Sequence, residues 1–384
     1  MSLAQLLGTS LWFSANSAGE DLSRAWNAGA ADIGWLTNAV QAGFILGTLA
    51  LAFSGMADRF RASTIFVGSA LAGAVFNVGF AWLAQDVLSG SIFRFLVGLS
   101  LAGIYPIGMK LIVSWEPDRT GQALALLVAM LTLGTALPHF LRFTGSGLSW
   151  RWIITCSSLL ALLGAALIQN LGTGPHLPLR KAGEAHQPRR LVLAALGIPR
   201  FRAAATGYFG HMWELYSFWT VVPLLLAATG LSDAFPLLGV AGLSFFIIAA
   251  GALGCLAGGV LSRRVGSARV ALGALAISGS CIILFALAWQ SLSPLGLLAL
   301  LLIWGTAVVA DSPQFSALSA RACPSDLVGG ALALQNAIGF TITMVSIWAA
   351  TAVVAKFGPS AVAILAPGPV LGLWGFARAM RNGA

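Results

Sequence analysis

Apolar runs of about twenty residues, the length that spans a bilayer core as a helix, recur twelve times along the 384-residue chain. Their approximate bounds are 2–20, 33–56, 62–84, 88–114, 120–143, 149–171, 201–228, 234–261, 267–289, 294–319, 327–354 and 359–378. Charged residues make up 9% of the chain, against about 25% in a soluble domain. Lipid offers the backbone no hydrogen-bond partners, so a spanning segment must satisfy its own. These runs therefore predict an all-α membrane protein. The 45 glycines fit close helix packing, where small residues let backbones approach; Gly43-Phe-Ile-Leu-Gly47 and Gly254-Cys-Leu-Ala-Gly258 read as packing surfaces. Cys156, Cys255, Cys281 and Cys323 stand alone in apolar segments, which predicts neither disulfide nor metal cluster.

One stretch repeats half a chain later. Ile92 to Gly121 is a bilayer-length run that carries Arg94, a central Pro106 and Lys110, and Leu301 to Gly330 is its degraded copy. Gly98, Pro106 and Pro117 match Gly305, Pro313 and Pro324 at an offset of 207, and Gly121-Gln-Ala-Leu-Ala-Leu126 matches Gly329-Gly-Ala-Leu-Ala-Leu334 at 208. Repeated sets of membrane helices mark transporters built from two related halves. The longest polar break, Gly172 to Pro199, holds four prolines together with Arg180, Lys181, Arg189 and Arg190. It predicts an N-terminal six-helix bundle over 1–171, a linker over 172–199 and a C-terminal bundle over 200–384.

Twelve spans put both termini on one side. The short loops of that side, with the termini, carry fifteen Lys and Arg residues, the opposite loops carry Arg24, Arg142, Arg151 and Lys356, and Arg94 and Lys110 lie within the fourth span. Basic residues accumulate on the cytoplasmic side, so both termini are expected there. The net charge of +9 thus reports topology, and no nucleic-acid partner is expected. Ser14-Ala-Asn-Ser-Ala18 has the look of a signal-peptidase site, but no basic n-region precedes it. The first segment is therefore expected to remain as a helix.

The loop after segment two, Ser54-Gly-Met-Ala-Asp58-Arg59-Phe-Arg61, resembles the G-x-L-A-D-R-x-G-R-K loop of the major facilitator superfamily. Gly259-Val-Leu-Ser-Arg263-Arg264-Val-Gly266 stands after segment eight, where that family repeats it, and Arg94-Phe-Leu-Val-Gly98 is similar to its R-x-x-x-G element. The resemblance covers essentially the whole chain. It implies two six-helix bundles around a central cavity, alternating access, and a monomer in a bacterial-type inner membrane. Ser54 and Arg61 stand where the family's loop has glycines. The Gly-Pro pair of proton-driven drug exporters is missing from Met130-Leu-Thr-Leu-Gly134-Thr-Ala-Leu-Pro138-His139.

An ionisable side chain at bilayer depth is costly unless it faces a cavity or a partner. Arg94, Lys110, His211, Glu214 and Asp311 are the candidates. Arg94 reads either as a ligand for an anionic substrate or as a packing arginine bonded to carbonyls. Lys110 reads as a lesser aid to it or as a side chain that snorkels to the interface. His211 and Glu214, three residues apart, share a helix face. Desolvation and a neighbouring cation act in opposite senses on a buried acid, so this pair, with Asp311, is expected to carry protons. Internal salt-bridging is the other reading. Trp12, Asn16, Asn38, Gln41, Trp213, Tyr216, Gln335 and Asn336 are candidate cavity-liners, the amides reading equally as interhelical hydrogen bonds. At the 207 offset Arg119 maps to Asp326, and Asp58 maps to Arg263 when the loops are aligned on Gly266. The reversed signs predict cytoplasmic latches of Asp58 with Arg119 and of Arg263 or Arg264 with Asp326, beside Arg59.

No phosphate loop, HExxH motif or extramembrane domain is present, which argues against an enzyme or an ATP-driven pump; no cofactor is expected. The expected function is secondary transport of a small solute, an organic or inorganic anion, coupled to protons. The alternative is proton-driven export of hydrophobic compounds, for which the aromatic-rich spans speak. A sensor or scaffold with a transporter fold is a third reading.

Overall fold

The computed structural model describes residues 1–116, 120–176, 195–324 and 327–381, and the side chain of Asp58 lies outside the description. Among the described residues the chain is helical, with no strand. The helices are α1 (Ser2–Thr9), α2 (Gly19–Trp26), α3 (Ala30–Ser54), α4 (Met56–Arg59), α5 (Ala62–Leu83), α6 (Val87–Ala102), α7 (Tyr105–Trp115), α8 (Thr120–Thr144) and α9 (Trp150–Leu171). There follow α10 (Pro199–Ala228), α11 (Leu231–Ala234), α12 (Gly239–Val265), α13 (Ser267–Ala288), α14 (Pro294–Ala310), α15 (Ser312–Ala322), α16 (Val328–Phe357) and α17 (Pro367–Arg381).

Ten helices or helix pairs of the described residues are long and apolar enough to cross a membrane. Segments one and seven fall outside that set, and both carry the polarity of the site. Segment seven is the unbroken α10, with His211 and Glu214 in its middle. Segment one, expected as one helix over 2–20, is instead interrupted: α1 stops at Thr9, and turns lead into a 3-10 turn over Asn16–Ala18. The local cause is a run of hydroxyls that bond back to the carbonyls of the preceding turn. Thr9 donates to the Gln5 carbonyl (2.8 Å), Ser10 to Leu7 (2.6 Å), Ser14 to Leu11 (3.1 Å) and Ser17 to Ser14 (2.8 Å). Such bonds compete with the helical ladder.

The sequence repeat reappears as a repeated break. The fourth span divides into α6 and α7 at Gly103-Ile104, and the tenth into α14 and α15 at Asp311. A proline sits in the first turn of each following helix, Pro106 and Pro313, where the missing N–H costs nothing while the ring crowds the turn before it. Ile104 plus 207 is 311, so the acid occupies in the second copy the hinge position that isoleucine fills in the first.

Close packing repeats too. A Cβ at Gly43 would overlap the Phe95 carbonyl and one at Gly98 the Val40 carbonyl, so α3 and α6 run backbone to backbone. Gly254 and Gly258 lay α12 on the Thr306 and Ala310 carbonyls of α14 in the same manner. Gly55, at φ +69°, closes α3 in the left-handed region that a side chain disfavours. The chain forms two compact units, Met1–Ala182 with Val222–Ala249, and Gly183–Val221 with Ala250–Ala384.

Candidate functional site

Each unit holds one buried polar cluster. In the first, Arg94 of α6 is fully buried. Its Nη1 donates to the Leu11 carbonyl, Ser14 Oγ and Asn77 Oδ1, each at 3.1 Å, and its Nη2 donates to the Trp12 carbonyl. The guanidinium thus holds the interrupted first segment by the carbonyls that lost their helical donors. Asn77 of α5 organises the rest: its Oδ1 also accepts from Ser14 (2.7 Å), and its amide donates to Ser158 Oγ (3.0 Å) and the Ile154 carbonyl (3.1 Å) of α9. Every acceptor around Arg94 is neutral, and its Nε has no protein partner.

In the second unit Glu214 and Asp311 are both buried. Glu214 Oε1 accepts from Trp304 Nε1 of α14 (2.6 Å), and Oε2 accepts from Ser278 Oγ of α13 (2.8 Å). One turn before it on α10, His211 Nδ1 lies 2.8 Å from Asp311 Oδ1. The tenth span therefore meets the seventh at two levels, through Trp304 above the hinge and Asp311 at it. Phe218 stacks on Trp304 with ring centroids 4.3 Å apart, which closes the apolar side of the carboxylate.

The other candidates have definite places. Trp12 packs on Phe44 (centroids 4.9 Å) and Tyr105 (6.4 Å). Asn16 donates to Thr37 Oγ1 (2.9 Å), and Asn38 is buried on α3. Gln41 and Gln335 are buried with both amide atoms lacking a protein partner. Asn336 accepts from the Tyr208 hydroxyl (3.0 Å). Tyr216 packs on Trp219 and Phe340, both at 5.2 Å. Trp213 turns away from His211 and donates to the Ile364 carbonyl (3.0 Å). Lys110 donates to the Ala57 carbonyl (2.6 Å), holding the loop that follows α3. His139 is 2% exposed on α8. Of the latch residues, Arg59, Arg263 and Arg264 are exposed, while Arg119, Asp326 and the Asp58 side chain lie outside the description.

Asn77, Ser278 and Trp304 are central here and were not singled out from sequence. Asn77 carried one available signal, a carboxamide alone in an apolar span. The hydroxyl and the indole carried none.

Paired six-helix repeats with ionisable side chains buried among apolar helices define a polytopic membrane protein of the facilitator type. The profile of the Major Facilitator Superfamily matches residues 1–347, and the chain belongs to that family. It is 26% identical over 258 residues to the niacin transporter NiaP of Acinetobacter baylyi, an alignment covering 55% of each chain. The chain thus spans about half the length of that relative. In fold it is similar to the proton:xylose symporter XylE (TM-score 0.77, 14% identity, 100% of this chain and 94% of the other). It is also similar to the nucleoside transporter NupG (TM-score 0.72, 14% identity, 99% and 98%).

Proposed function

We propose that this protein is a secondary transporter of a small organic anion, coupled to protons and working by alternating access. Arg94 carries the anion reading. A guanidinium buried with neutral acceptors and no carboxylate leaves a positive potential at bilayer depth, and a bound anion relieves it. Its four bonds to protein oxygens make it the source of that field and the brace of the first segment, with the free Nε as the group left for a ligand. The likeness to a niacin transporter supports the same reading, because niacin is an aromatic carboxylic acid. Trp12, Asn16, Asn38 and Gln41 of the first unit, and Tyr216, Gln335 and Asn336 of the second, are the proposed contacts; Trp213, bonded to the Ile364 carbonyl, is a support behind them.

Proton coupling is assigned to Glu214, His211 and Asp311. Two carboxylates and one imidazole do not balance when both acids are ionised, and a proton from solution restores the balance. Asp311 occupies a helix junction, so a change of tilt between α14 and α15 alters its distance to His211 and with it the proton's hold. The halves are 1–171 and 200–384 about a linker at 172–199. Both termini face the cytoplasm of a bacterial-type inner membrane, the protein is a monomer, and Asp58 with Arg119 and Arg263 or Arg264 with Asp326 act as latches beside Arg59. A charge-swapped Asp58→Arg/Arg119→Asp protein that regains no activity lost by either single change overturns the first latch.

The test is uptake of radiolabelled niacin and related monocarboxylates into proteoliposomes under an imposed pH gradient. Accumulation that collapses with a protonophore is expected. Stabilisation of the purified protein by lipophilic cations, with no response to any anion, would transfer the assignment to export of hydrophobic compounds.

A further inference from the structure

The second unit has a feature that the two clusters do not use. Between α12, α13 and α14 runs a groove of about 490 Å³, within the roughly 300–1,000 Å³ of small-molecule sites. Its walls are apolar, with Gly254, Gly258 and Leu261 on α12, Gly273 and Ile277 on α13, and Ile303 on α14. Glycines make it deep: a Cβ placed on Gly273 would have no heavy atom within 4 Å. The hydroxyl of Thr306, which also lines it, is turned onto the Leu302 carbonyl of its own helix (2.7 Å), which leaves the lining side chains apolar apart from Arg269.

At one end stands a single charged lining residue, Arg269. Arg264 is three residues beyond Leu261 on α12, hence on a neighbouring part of that face. Both arginines are exposed, and neither has an ion-pair partner among the described residues. No carboxylate lines the groove. This end belongs to the side that the Lys and Arg asymmetry assigns to the cytoplasm. On the outer surface, Leu253, Val260, Ile277 and Ile303 are at least half exposed, so the groove opens onto lipid.

We infer that this groove is a binding site for an anionic phospholipid of the cytoplasmic leaflet, one acyl chain lying in the glycine-lined trough and the headgroup phosphate held by Arg269, joined by Arg264 when Arg263 serves the latch to Asp326. The chemistry is complementary at both ends: an apolar channel for a hydrocarbon tail, and guanidinium groups with no ion-pair partner among the described residues, whose forked donors suit phosphate oxygens. Basic pockets between membrane helices on this side are suited to such headgroups.

Native mass spectrometry on the purified full chain, titrated with equal amounts of phosphatidylglycerol and phosphatidylethanolamine of identical acyl chains, tests this. Wild type should retain phosphatidylglycerol preferentially. Arg269→Gln should reduce that preference about fivefold, the equivalent of about 1 kcal/mol for one arginine near an anionic headgroup. A Cβ at Gly273 meets no heavy atom within 4 Å, so Gly273→Leu projects a side chain into the trough; it should weaken retention of both lipids and leave headgroup preference intact. Glycerol phosphate, which has the charge and no tail, should not compete. Equal retention of the two lipids by wild type, a preference that survives Arg264→Gln/Arg269→Gln, or undiminished lipid on Gly273→Leu each overturns the site. All three positions are exposed, and thermal unfolding at the wild-type midpoint verifies that the variants fold.

Discussion

Arg94 shows how much one side chain has to supply in a membrane interior. It provides donors to two backbone carbonyls, Ser14 and Asn77, from a fully buried position. Arg94→Ala is expected to destabilise the protein by about 3 kcal/mol or more, since buried acceptors lose charged donors; thermal unfolding in detergent measures this. Arg94→Lys retains charge but not the fork, so it should recover part of the stability and less of the anion binding. Glu214→Gln keeps the shape and an acceptor for Trp304. It should leave anion exchange between equal pH compartments within a few-fold of wild type and abolish accumulation driven by a pH gradient, as read by substrate counterflow beside gradient-driven uptake. Loss of both activities together would make Glu214 a structural residue. Sequence placed His211 and Glu214 on one face, because spacing within a helix fixes that. It could not pair Glu214 with Ser278 and Trp304, which are 64 and 90 residues away.

Among the helices, glycine by itself is ambiguous and its neighbours decide. Gly43→Leu has to push α3 off the Phe95 carbonyl, and overpacking of this kind costs about 1–3 kcal/mol. Gly68→Ala, with nothing within 4 Å of its Cβ, should be neutral or slightly stabilising, since alanine is the better helix former. Parallel thermal unfolding of the two variants separates them. At the start of α6, the Ser89 hydroxyl and backbone amide hold the Asp86 carboxyl below the usual carboxylate range. A depressed acid lends its stability above its unfolded pKa and loses it as pH falls through the folded one. Protection of the Ser89 amide, its exchange measured against the intrinsic rate at each pH, should therefore fall in acid, and Asp86→Asn should remove that pH dependence. The prolines at 106 and 313 stand in the first turn after each hinge, a signal present in the sequence although each span was expected as one segment. The interruption of segment one was not legible, because hydroxyls bond back to carbonyls in unbroken helices as well, and the donor that stabilises the break comes from α6.

For the molecule as a whole, the Lys and Arg asymmetry predicts that a fluorescent protein fused to the C-terminus folds and fluoresces in cells, while an alkaline phosphatase fused there stays inactive. The reverse pattern would invert the topology and move the lipid groove to the other leaflet. Sequence by itself determined that this is a helical membrane protein with a duplicated half, that it belongs with the facilitators, and which ionisable groups fall within its apolar segments. Those are consequences of segment length, local spacing and the cost of charge in lipid, all of which are properties of neighbouring residues. Tertiary structure alone decided that Arg94 is ringed by neutral acceptors, that Asp311 meets His211 while Glu214 is held by Ser278 and Trp304, and that three glycine-bearing helices leave a trough ending in arginine. Those depend on which helices meet and at what depth, and packing between distant segments sets both.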